Sequence, residues 1–476
     1  MKKHSLFKFL AIILLLLVVV TYIIPNRSGI EGYLPLGDIF TNYIQSYYYF
    51  FDTAAFILAV GALYGVLTKT EMYKKLLNSI VKKLKSKSKL AIFACIVFLT
   101  VVSSVTGITT PLIVFVPFII SIILLLGYDK LVAISSTILP MLIGFIGGIG
   151  VNLRDASDYY SYSVITFDEM LGIKRGTSLI PQLVLLVLGI ALLILFVNKH
   201  IKAIENKKVK YELNGTDEFI VPELKGSNKE VKAWPLIVVL AILFVLLMLG
   251  LIPWKSLYEI EVFHDFHEWL SKLNIRGFNV YLNLVSGMFP PFGAWLELGS
   301  YMMEIVVIIL TIIVVKFICK IKFNDLIEYV SEGAKKMLPT AALVMLAYTI
   351  LICTYNNGFI ETLITNASKG GDINFVLASL FTMIGSVLHI DLYYTTAGIF
   401  TPIINVVTNE GMFKVYSLAF QSLYGLINIV GPTSIMLIFA LSYLDVPYTT
   451  WLKYIWRFVL SLFIIIFATL MILTLI

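Results

Sequence analysis

Charged residues are scarce in this chain of 476 residues. Aspartate, glutamate, lysine and arginine together make up 14% of it, whereas 59% is hydrophobic and the mean hydropathy is +0.92. A soluble domain carries about 25% charged residues, so a soluble fold is excluded. Apolar runs of about 20 residues, the length that spans a bilayer, recur along the whole sequence. The sequence therefore predicts an all-α integral membrane protein with about 10–12 membrane segments.

Cysteine and recognisable catalytic motifs are also rare. Cys95, Cys319 and Cys353 lie in or beside apolar segments without metal or disulfide spacing, so we expect packing roles for them. The chain has neither a G-x-x-x-x-G-K-[ST] loop for ATP phosphates nor a G-x-S-x-G nucleophile elbow. The stretch His264–Glu268 matches neither common zincin order, so we predict an interfacial turn there and no metal site. No cofactor is expected.

Lysine is concentrated in a few loops, which accounts for the net charge of +7. Segments 69–89 and 199–232 hold eight lysines each, whereas 26–50 holds only Arg27 and is interpreted as a loop. Basic loops favour the cytoplasmic side, so we expect the lipid bilayer as a partner and no nucleic acid. Segment 69–89 also shows apolar residues at helical spacing, which predicts an interfacial amphipathic helix. An ordinary juxtamembrane linker is the alternative.

The hydrophobic pattern of the chain occurs twice, about 285 residues apart. The run that opens at Asp52 corresponds to the run that opens at Pro339. Two short apolar runs with a polar break follow each, at 90–126 and at 375–407, and a glycine-rich break comes later, at 147–150 and at 431–434. Duplicated halves with interrupted helices are typical of secondary transporters. We predict two inverted repeats, each with a re-entrant hairpin and a broken helix.

Loop charge supports the inversion, because one predicted hairpin opens toward the cytoplasm and the other toward the outside. The predicted organisation is a first transmembrane repeat at 1–198, a basic cytoplasmic linker at 199–233 and a second repeat at 234–476. The N-terminal run Leu6–Ile24 is too long for a signal peptide and is interpreted as the first retained helix. Residues 253–300 cannot be placed from the sequence. We expect a multi-pass protein of the cell membrane, and a homodimer is compatible with this class.

Non-helical backbone at membrane depth is tolerated where it is buried or lines a wet cavity. The hairpin tips and the breaks are therefore the candidate site for substrate or coupling ion. An Asp between two half-helices is expensive and marks a functional site by default, and His389 lies two residues from Asp391. The candidate residues are Ser103, Ser104, Thr106, Gly107, Thr109, Thr110, Asn152, His389, Asp391, Thr395, Thr396, Gln421, Asn428, Pro432, Thr433 and Ser434.

Each of these features has a simpler interpretation. The serines and threonines of the tips can satisfy their own helix backbone. The second tip can lie shallow enough for His389 and Asp391 to be solvated. The break at 431–434 can be a kink, because Pro lacks the amide and clashes with the preceding turn.

The C-terminal stretch resembles the YfcC family. The resemblance is carried by Ala419-Phe420-Gln421 with Gly425 and Asn428, by Pro432-Thr433-Ser434, and by Val446-Pro447-Tyr448 with Trp451 and Lys453. That family belongs with the DcuC and ArcD-type carriers of the ion transporter superfamily. The resemblance implies transport of dicarboxylates or amino acids, including arginine/ornithine exchange. Members often carry paired Glu at the first tip, where this chain has Thr109-Thr110.

We interpret the chain as a secondary active transporter of a small carboxylate-bearing metabolite, working by alternating access. The cargo is an amino acid, which can be basic and exchanged, or a four-carbon dicarboxylate, and the coupling ion is Na⁺ or H⁺. With Thr109-Thr110 at the first tip, Asp391 becomes the main predicted acidic group, which favours a basic amino acid. The alternatives are a membrane-embedded enzyme acting on a lipid-linked substrate and, less in keeping with the pattern, a channel.

Overall fold

The computed structural model describes residues 5–24, 33–154, 164–206, 217–224, 231–284, 289–296, 299–368 and 373–475. Eight of its helical stretches are long and apolar enough to cross a membrane by length and composition, and three shorter apolar helices add to them. The described residues are otherwise connected by turns and by two short antiparallel β-ladders. The predicted class, an all-α multi-pass membrane protein, is confirmed.

The first part of the chain runs from the N-terminal helix to residue 206. Its elements are α1 (Ser5–Ile23), α2 (Asp38–Lys69), α3 (Glu71–Leu84), a 3₁₀ turn (Lys85–Lys87), α4 (Ser88–Thr106), a 3₁₀ turn (Thr110–Phe115), α5 (Val116–Leu125), α6 (Lys130–Ile146), β1 (Leu153–Arg154), β2 (Val164–Ile165), α7 (Phe167–Met170) and α8 (Leu179–Glu205). Strands β1 and β2 pair with Leu153 opposite Ile165.

The second part contains the segment 253–300 that the sequence left unplaced, which here forms three short helices and a β-ladder. Its elements are α9 (Trp234–Leu251), α10 (Trp254–Tyr258), α11 (Val262–Lys272), β3 (Asn274–Ile275), β4 (Phe278–Asn279), α12 (Val280–Leu284), α13 (Met302–Ile318), α14 (Phe323–Asn357), α15 (Phe359–Ala367), α16 (Phe375–Leu388), α17 (Leu392–Thr395), a π turn (Thr396–Phe400), α18 (Thr401–Ile404), a 3₁₀ turn (Glu410–Met412), α19 (Phe413–Val430), α20 (Ile435–Tyr443) and α21 (Tyr448–Thr474).

Helix ends fall at the predicted interruptions. Helix α4 ends at Gly107, whose φ of +72° is left-handed and suits glycine, and the chain then turns back into α5. Helix α6 ends at Gly147 and α19 at Gly431. Helix α16 ends at His389, and the returning arm is irregular. The inverted relation of the two halves, the boundaries 1–198, 199–233 and 234–476, and the homodimer stay predictions.

The interpretation of 26–50 as a loop is wrong for its second half. Helix α2 begins at Asp38 and continues to Lys69 across a kink at Phe50, where φ is −127° and ψ is 21°. This first arm is rich in tyrosine and phenylalanine, so it lacks the uniform apolar run that signals a span. Tyrosine, an aromatic residue with a hydroxyl group, is enriched at the membrane interface. In the same arm, Asn42 Nδ2 lies 3.2 Å from Cys353 Sγ on α14. Helix α2 therefore follows α14 beyond its apolar part.

Helices α2 and α14 pack antiparallel in close contact because three glycines lie at their crossing. A Cβ added to Gly65 would lie 2.3 Å from the carbonyl oxygen of Tyr329 and 2.8 Å from the Cα of Gly333. A Cβ added to Gly61 would lie 2.6 Å from the carbonyl oxygen of Gly333. Small residues of this kind let helix backbones approach closely in membranes. The pair forms one long wall of the structure.

Ion pairs place the lysine-rich loops on one face of the bundle, which we call the basic face. Lys69 lies 3.3 Å from Glu332, and Lys89 lies 2.6 Å from Glu205. Part of the linker, Asp217–Leu224, also lies there: Asp217 pairs with Lys336. Burial raises the pKa of Asp217, but the hydrogen bonds from Lys336 and from the Phe219 amide, together with the charges of Lys336 and Lys69, outweigh this, so the pKa lies below its usual value. The linker is thus docked on the bundle at this point.

The predicted amphipathic helix is also found on the basic face. Helix α3 covers 71–84 and buries Tyr73, Leu76 and Leu77, while Lys82 and Lys83 on its other side are exposed. Thr70 caps its first turn by accepting a hydrogen bond from the Tyr73 amide at 3.4 Å. The prediction of an amphipathic helix within 69–89 is therefore confirmed: the segment is helical, and its apolar residues are buried.

Candidate functional site

A cavity of about 410 Å³ lies where the kink of α2 meets both hairpin tips. A volume of this order suits a small metabolite. Its wall is built from α2, the first tip, α6 and the break after it, the start of α13 and the residues before it, α14, the second tip, α19 and the start of α20. The polar and aromatic members of the wall are Tyr49, Phe50, Asp52, Thr53, Thr109, Thr110, Phe145, Asn152, Trp295, Ser300, Tyr301, Glu304, Tyr348, Asp391, Tyr393, Tyr394, Tyr424 and Asn428.

Three carboxylates give this wall its charge. Asp52 follows the kink of α2, Glu304 lies in the first turn of α13, and Asp391 lies at the second tip. Within the described ranges, no lysine, arginine or histidine lines the cavity. Carboxylates at membrane depth are expensive unless a cation, a proton or hydrogen bonds compensate them. The cavity therefore favours positive charge.

Asp391 is held in place by the backbone that follows it. It is the N-cap of α17, and its Oδ1 accepts hydrogen bonds from the amides of Tyr393 at 2.8 Å and Tyr394 at 3.4 Å. Asp is a favoured N-cap residue because its oxygen satisfies amides that the helix leaves unpaired. The side chain is partly buried rather than fully solvated. The tip thus fixes the direction in which this carboxylate faces the cavity.

Aromatic rings cover much of the remaining wall. Phe50, at the kink, stacks on Tyr348 of α14 with ring centroids 3.9 Å apart and planes at 12°. The same ring meets Tyr394 of the second tip edge-on at 5.6 Å. Aromatic faces attract cations, and the attraction is stronger where water is excluded. The rings and the three carboxylates therefore favour the same kind of cargo.

The structure brings some of the predicted site residues together and separates others. Those on the cavity wall are Gly107, Thr109, Thr110, Asn152, Asp391 and Asn428. Those off the wall are Ser103, Ser104, Thr106, His389, Thr395, Thr396, Gln421, Pro432, Thr433 and Ser434. A binding role for any of the sixteen stays a prediction.

Residues of the first tip that lie off the wall join the tip to the first break. The backbone amide of Gly150 donates to the carbonyl of Ser104 at 2.8 Å, and the Ser104 hydroxyl donates to the carbonyl of Gly147 at 3.3 Å. A Cβ on Gly107 would lie 2.4 Å from the carbonyl oxygen of Gly150. Thr106 Oγ1 donates to the Val102 carbonyl of its own helix at 2.6 Å. The contacts of Ser104 and Gly150 satisfy carbonyls at the ends of the interrupted helices, whereas Thr106 bonds within its own helix.

The second tip is joined to the second break in a similar way. Thr433 Oγ1 donates to the carbonyl of Val387 at 2.6 Å, and Ser434 caps α20. Thr395 and Thr396 donate to carbonyls one turn earlier. His389 is 2% exposed, and its Nδ1 lies 3.1 Å from the Tyr394 carbonyl. Its ring packs on Gly398, where an added Cβ would lie 2.7 Å from Cε1.

Gln421 connects α19 to the break after α6. Its Nε2 donates to the carbonyls of Phe145 at 2.9 Å and Gly148 at 2.8 Å, and its Oε1 accepts from Gln182 Nε2 at 3.0 Å. It is 1% exposed. The amide therefore supplies donors to a carbonyl at the end of α6 and to one in the break that follows, which is a positioning role.

We expect Gln421→Leu to destabilise the protein by about 1–3 kcal/mol, because buried carbonyls would lose their donor. The measurement is the apparent unfolding midpoint of the purified protein in detergent. The matched control is Ser422→Ala on the same helix, since the Ser422 hydroxyl donates only within its own helix, to Leu418 at 2.6 Å and to Ala419 at 3.5 Å. Equal midpoints for the two variants would contradict the positioning role.

Sequence reasoning missed two of the three carboxylates and most of the aromatic wall. Asp52 served only to align the two halves, and Glu304 lies inside an apolar run at 301–318. The signal was available, because an acidic residue within a membrane segment is a functional candidate by default. Neither residue adjoins a glycine or proline break, so the pattern of interruptions does not point to them.

The histidine-rich stretch at 264–268 lies apart from the cavity, on α11. Ligand atoms of His264, Asp265 and Glu268 lie within 4.8 Å of one another, and all three residues are exposed or partly exposed. Glu268 pairs with Lys272 on the same helix, and this hydrogen bond lowers the pKa of Glu268. The ring of His267 instead packs edge-on against Tyr281 at 5.0 Å. This group is a helix surface rather than an enclosed metal centre.

Comparison with known proteins connects this geometry to a family. The family model described as DcuC, C4-dicarboxylate anaerobic carrier, matches residues 4–475. An uncharacterized protein of Haemophilus influenzae is 24% identical over 195 residues, which are 41% of this chain and 35% of that protein. The match thus spans about a third of that relative's length.

Two solved structures align with nearly the whole chain at low identity. The alignment with the YdaH transporter of Alcanivorax borkumensis covers 99% of this chain and 98% of that chain, at 13% identity and a TM-score of 0.39. The alignment with MtrF of Neisseria gonorrhoeae, described with a class of antimetabolite efflux pumps, covers 97% and 94%, at 12% identity and a TM-score of 0.36.

Proposed function

Because this chain belongs to the C4-dicarboxylate anaerobic carrier family, we propose that it is a secondary active transporter of a basic amino acid. The family match over residues 4–475 agrees with the resemblance seen in the C-terminal motifs. It places the chain among membrane carriers rather than enzymes, which sets aside an enzyme acting on lipid-linked substrates. The cargo is the part of the proposal that rests on the cavity.

The charge of the cavity wall carries the choice of cargo. Asp52, Glu304 and Asp391 line one space, and no lysine, arginine or histidine lines it within the described ranges. A basic amino acid brings a positive side chain and an ammonium group to these carboxylates, with Phe50 and Tyr348 available for cation–π contact. Its single carboxylate finds amide donors on the same cavity wall, where Asn152 and Asn428 each carry a second N–H beyond the one bonded to backbone.

A four-carbon dicarboxylate is the second candidate, favoured by the description of the family. Two negative charges entering this cavity would be repelled unless coupling cations entered with them. Dicarboxylate transport through this wall therefore requires cations to neutralise the carboxylates first. In the first candidate the cation at the carboxylates is the cargo itself, whereas in the second it is a coupling ion that enters with the cargo.

The test is counterflow into liposomes that contain the purified protein. We expect labelled arginine or lysine to enter, and we expect the entry to be inhibited at least tenfold more strongly by the basic amino acid than by its neutral counterpart. The matched pairs are arginine with citrulline and lysine with norleucine, which differ chiefly in the positive group. Entry of succinate or fumarate without entry of any basic amino acid would replace the first candidate by the second.

A further inference from the structure

Glu304 is the most deeply buried carboxylate of the cavity wall. It is 2% exposed, and its Oε2 has no hydrogen-bond partner among the residues that the structure describes. It lies in the first turn of α13, the helix that packs against α2 and α9. Burying an ionised carboxylate without partners costs several kcal/mol. This side chain therefore requires a positive partner or a proton.

The charged groups around Glu304 make ionisation harder still. Asp52 of α2 is near enough for the two carboxylates to repel each other when both are ionised. Asp52 Oδ2 also accepts a hydrogen bond from the Tyr301 backbone amide at 3.0 Å. The Glu304 carboxyl has a backbone hydrogen bond from its own amide, and Oε2 is the oxygen left without a partner among the described residues. Tyr301 itself lies within electrostatic reach of Asp52, Glu304 and Asp391. Helix α9 contributes no charged residue to this environment.

We propose that Glu304 is the proton-coupling carboxyl of this transporter, with the carboxyl group of Asp52 beside it. During the cycle the Glu304 carboxylate takes a proton from water on one side of the membrane and returns it to water on the other side. This assignment rests on the proposed transport function. It differs from the role of Asp391, which the tip backbone holds in its ionised form through two amide donors.

Glu304 lies in the cavity that is proposed to bind the cargo, so its protonation affects cargo binding. Glu304 and Asp391 line the same cavity, so a cation bound between them changes the free energy of protonating either one. A proton on Glu304 removes one of the charges that attract the cargo, and a bound cationic cargo favours release of the proton. Coupling thus requires no separate ion-binding site, because the same cavity holds the proton and the cationic cargo in turn.

The first experiment needs no substrate. Infrared spectra of the protein in lipid, recorded across pH, report the C=O stretch of protonated carboxyl groups. We expect a band that is present in the wild type and in Glu361→Gln and missing in Glu304→Gln. Glu361 is an exposed carboxylate on α15 and serves as the matched control. Identical acid bands in the wild type and in Glu304→Gln would overturn the assignment.

The second experiment uses the liposomes with the membrane potential clamped at zero. We expect uptake of the basic amino acid to change several-fold on imposing a pH gradient in the wild type, in Glu361→Gln and in Glu304→Asp. In Glu304→Gln we expect the ratio of uptake with and without the gradient to fall to about one. A wild-type ratio in Glu304→Gln, or coupling to a Na⁺ gradient alone, would overturn the proposal. If no basic amino acid enters at all, the proposed cargo fails while the infrared result still decides the protonation of Glu304.

Discussion

The Asp391→Asn variant is expected to bind a basic amino acid about 30- to 150-fold more weakly than the wild type. The substitution removes a charge that faces the cargo, and loss of a buried charge partner costs about 2–3 kcal/mol. The asparagine retains an oxygen that can accept from the Tyr393 amide, so the tip is expected to keep its fold. The measurement is the concentration of unlabelled arginine that halves counterflow uptake in liposomes.

Asp265→Asn serves as the control for Asp391→Asn, because Asp265 is exposed on α11, apart from the cavity. The ratio of the inhibition constants for arginine and succinate gives a second readout, since removing one negative charge weakens binding of the cation and eases binding of the dianion. Wild-type constants for both compounds in Asp391→Asn would remove this residue from cargo binding.

Gly65→Leu is expected to reduce the amount of folded protein at least tenfold. The added Cβ alone would lie 2.3 Å from the carbonyl oxygen of Tyr329 and 2.8 Å from the Cα of Gly333, and neither backbone atom can yield as a side chain can. Overpacking against side chains costs about 1–3 kcal/mol, and a clash between two helix backbones exceeds that range. Helices α2 and α14 would separate along the wall of the cavity.

The measurement for Gly65→Leu is the yield of monodisperse protein on size-exclusion chromatography after expression at equal levels. Gly37→Leu is the matched control, because a Cβ at Gly37 has no atom within 4 Å and its φ is −62°. Equal yields from the two leucine variants would show that the helix pair tolerates a wider crossing.

The interruptions of the helices could be predicted from the sequence because they are local. Gly107, Gly147 and Gly431 end their helices where a glycine adjoins a polar stretch, and the pattern needs no knowledge of distant residues. The first arm of α2 could not be predicted in the same way. Its tyrosines are too polar for a hydropathy signal, and its helical state depends on contacts such as Asn42 with Cys353, 311 residues away.

The site residues show the same limit. A polar side chain beside a helix break can satisfy freed backbone or face a cargo, and the sequence does not distinguish these roles. Gln421 takes the first role because its partner, the Phe145 carbonyl, lies 276 residues earlier in the chain. Asn428, two turns later on the same helix, lines the cavity. The carboxylates Asp52 and Glu304 lie away from the glycine and proline breaks, Asp52 just after a kink at Phe50 and Glu304 in the first turn of α13, and neither position carries a local sequence signal of a break.

The acidic wall also makes the carrier sensitive to voltage. An elementary charge that moves through the whole membrane field changes in free energy by about 2.3 kcal/mol per 100 mV. Each of Asp52, Glu304 and Asp391 that is ionised in the empty cavity adds to this effect as the cavity exchanges sides, whereas a bound cation or proton cancels part of it. A potential that is negative inside therefore draws the empty, negatively charged site toward the exterior, and it sets the occupancy of the two orientations before any cargo arrives.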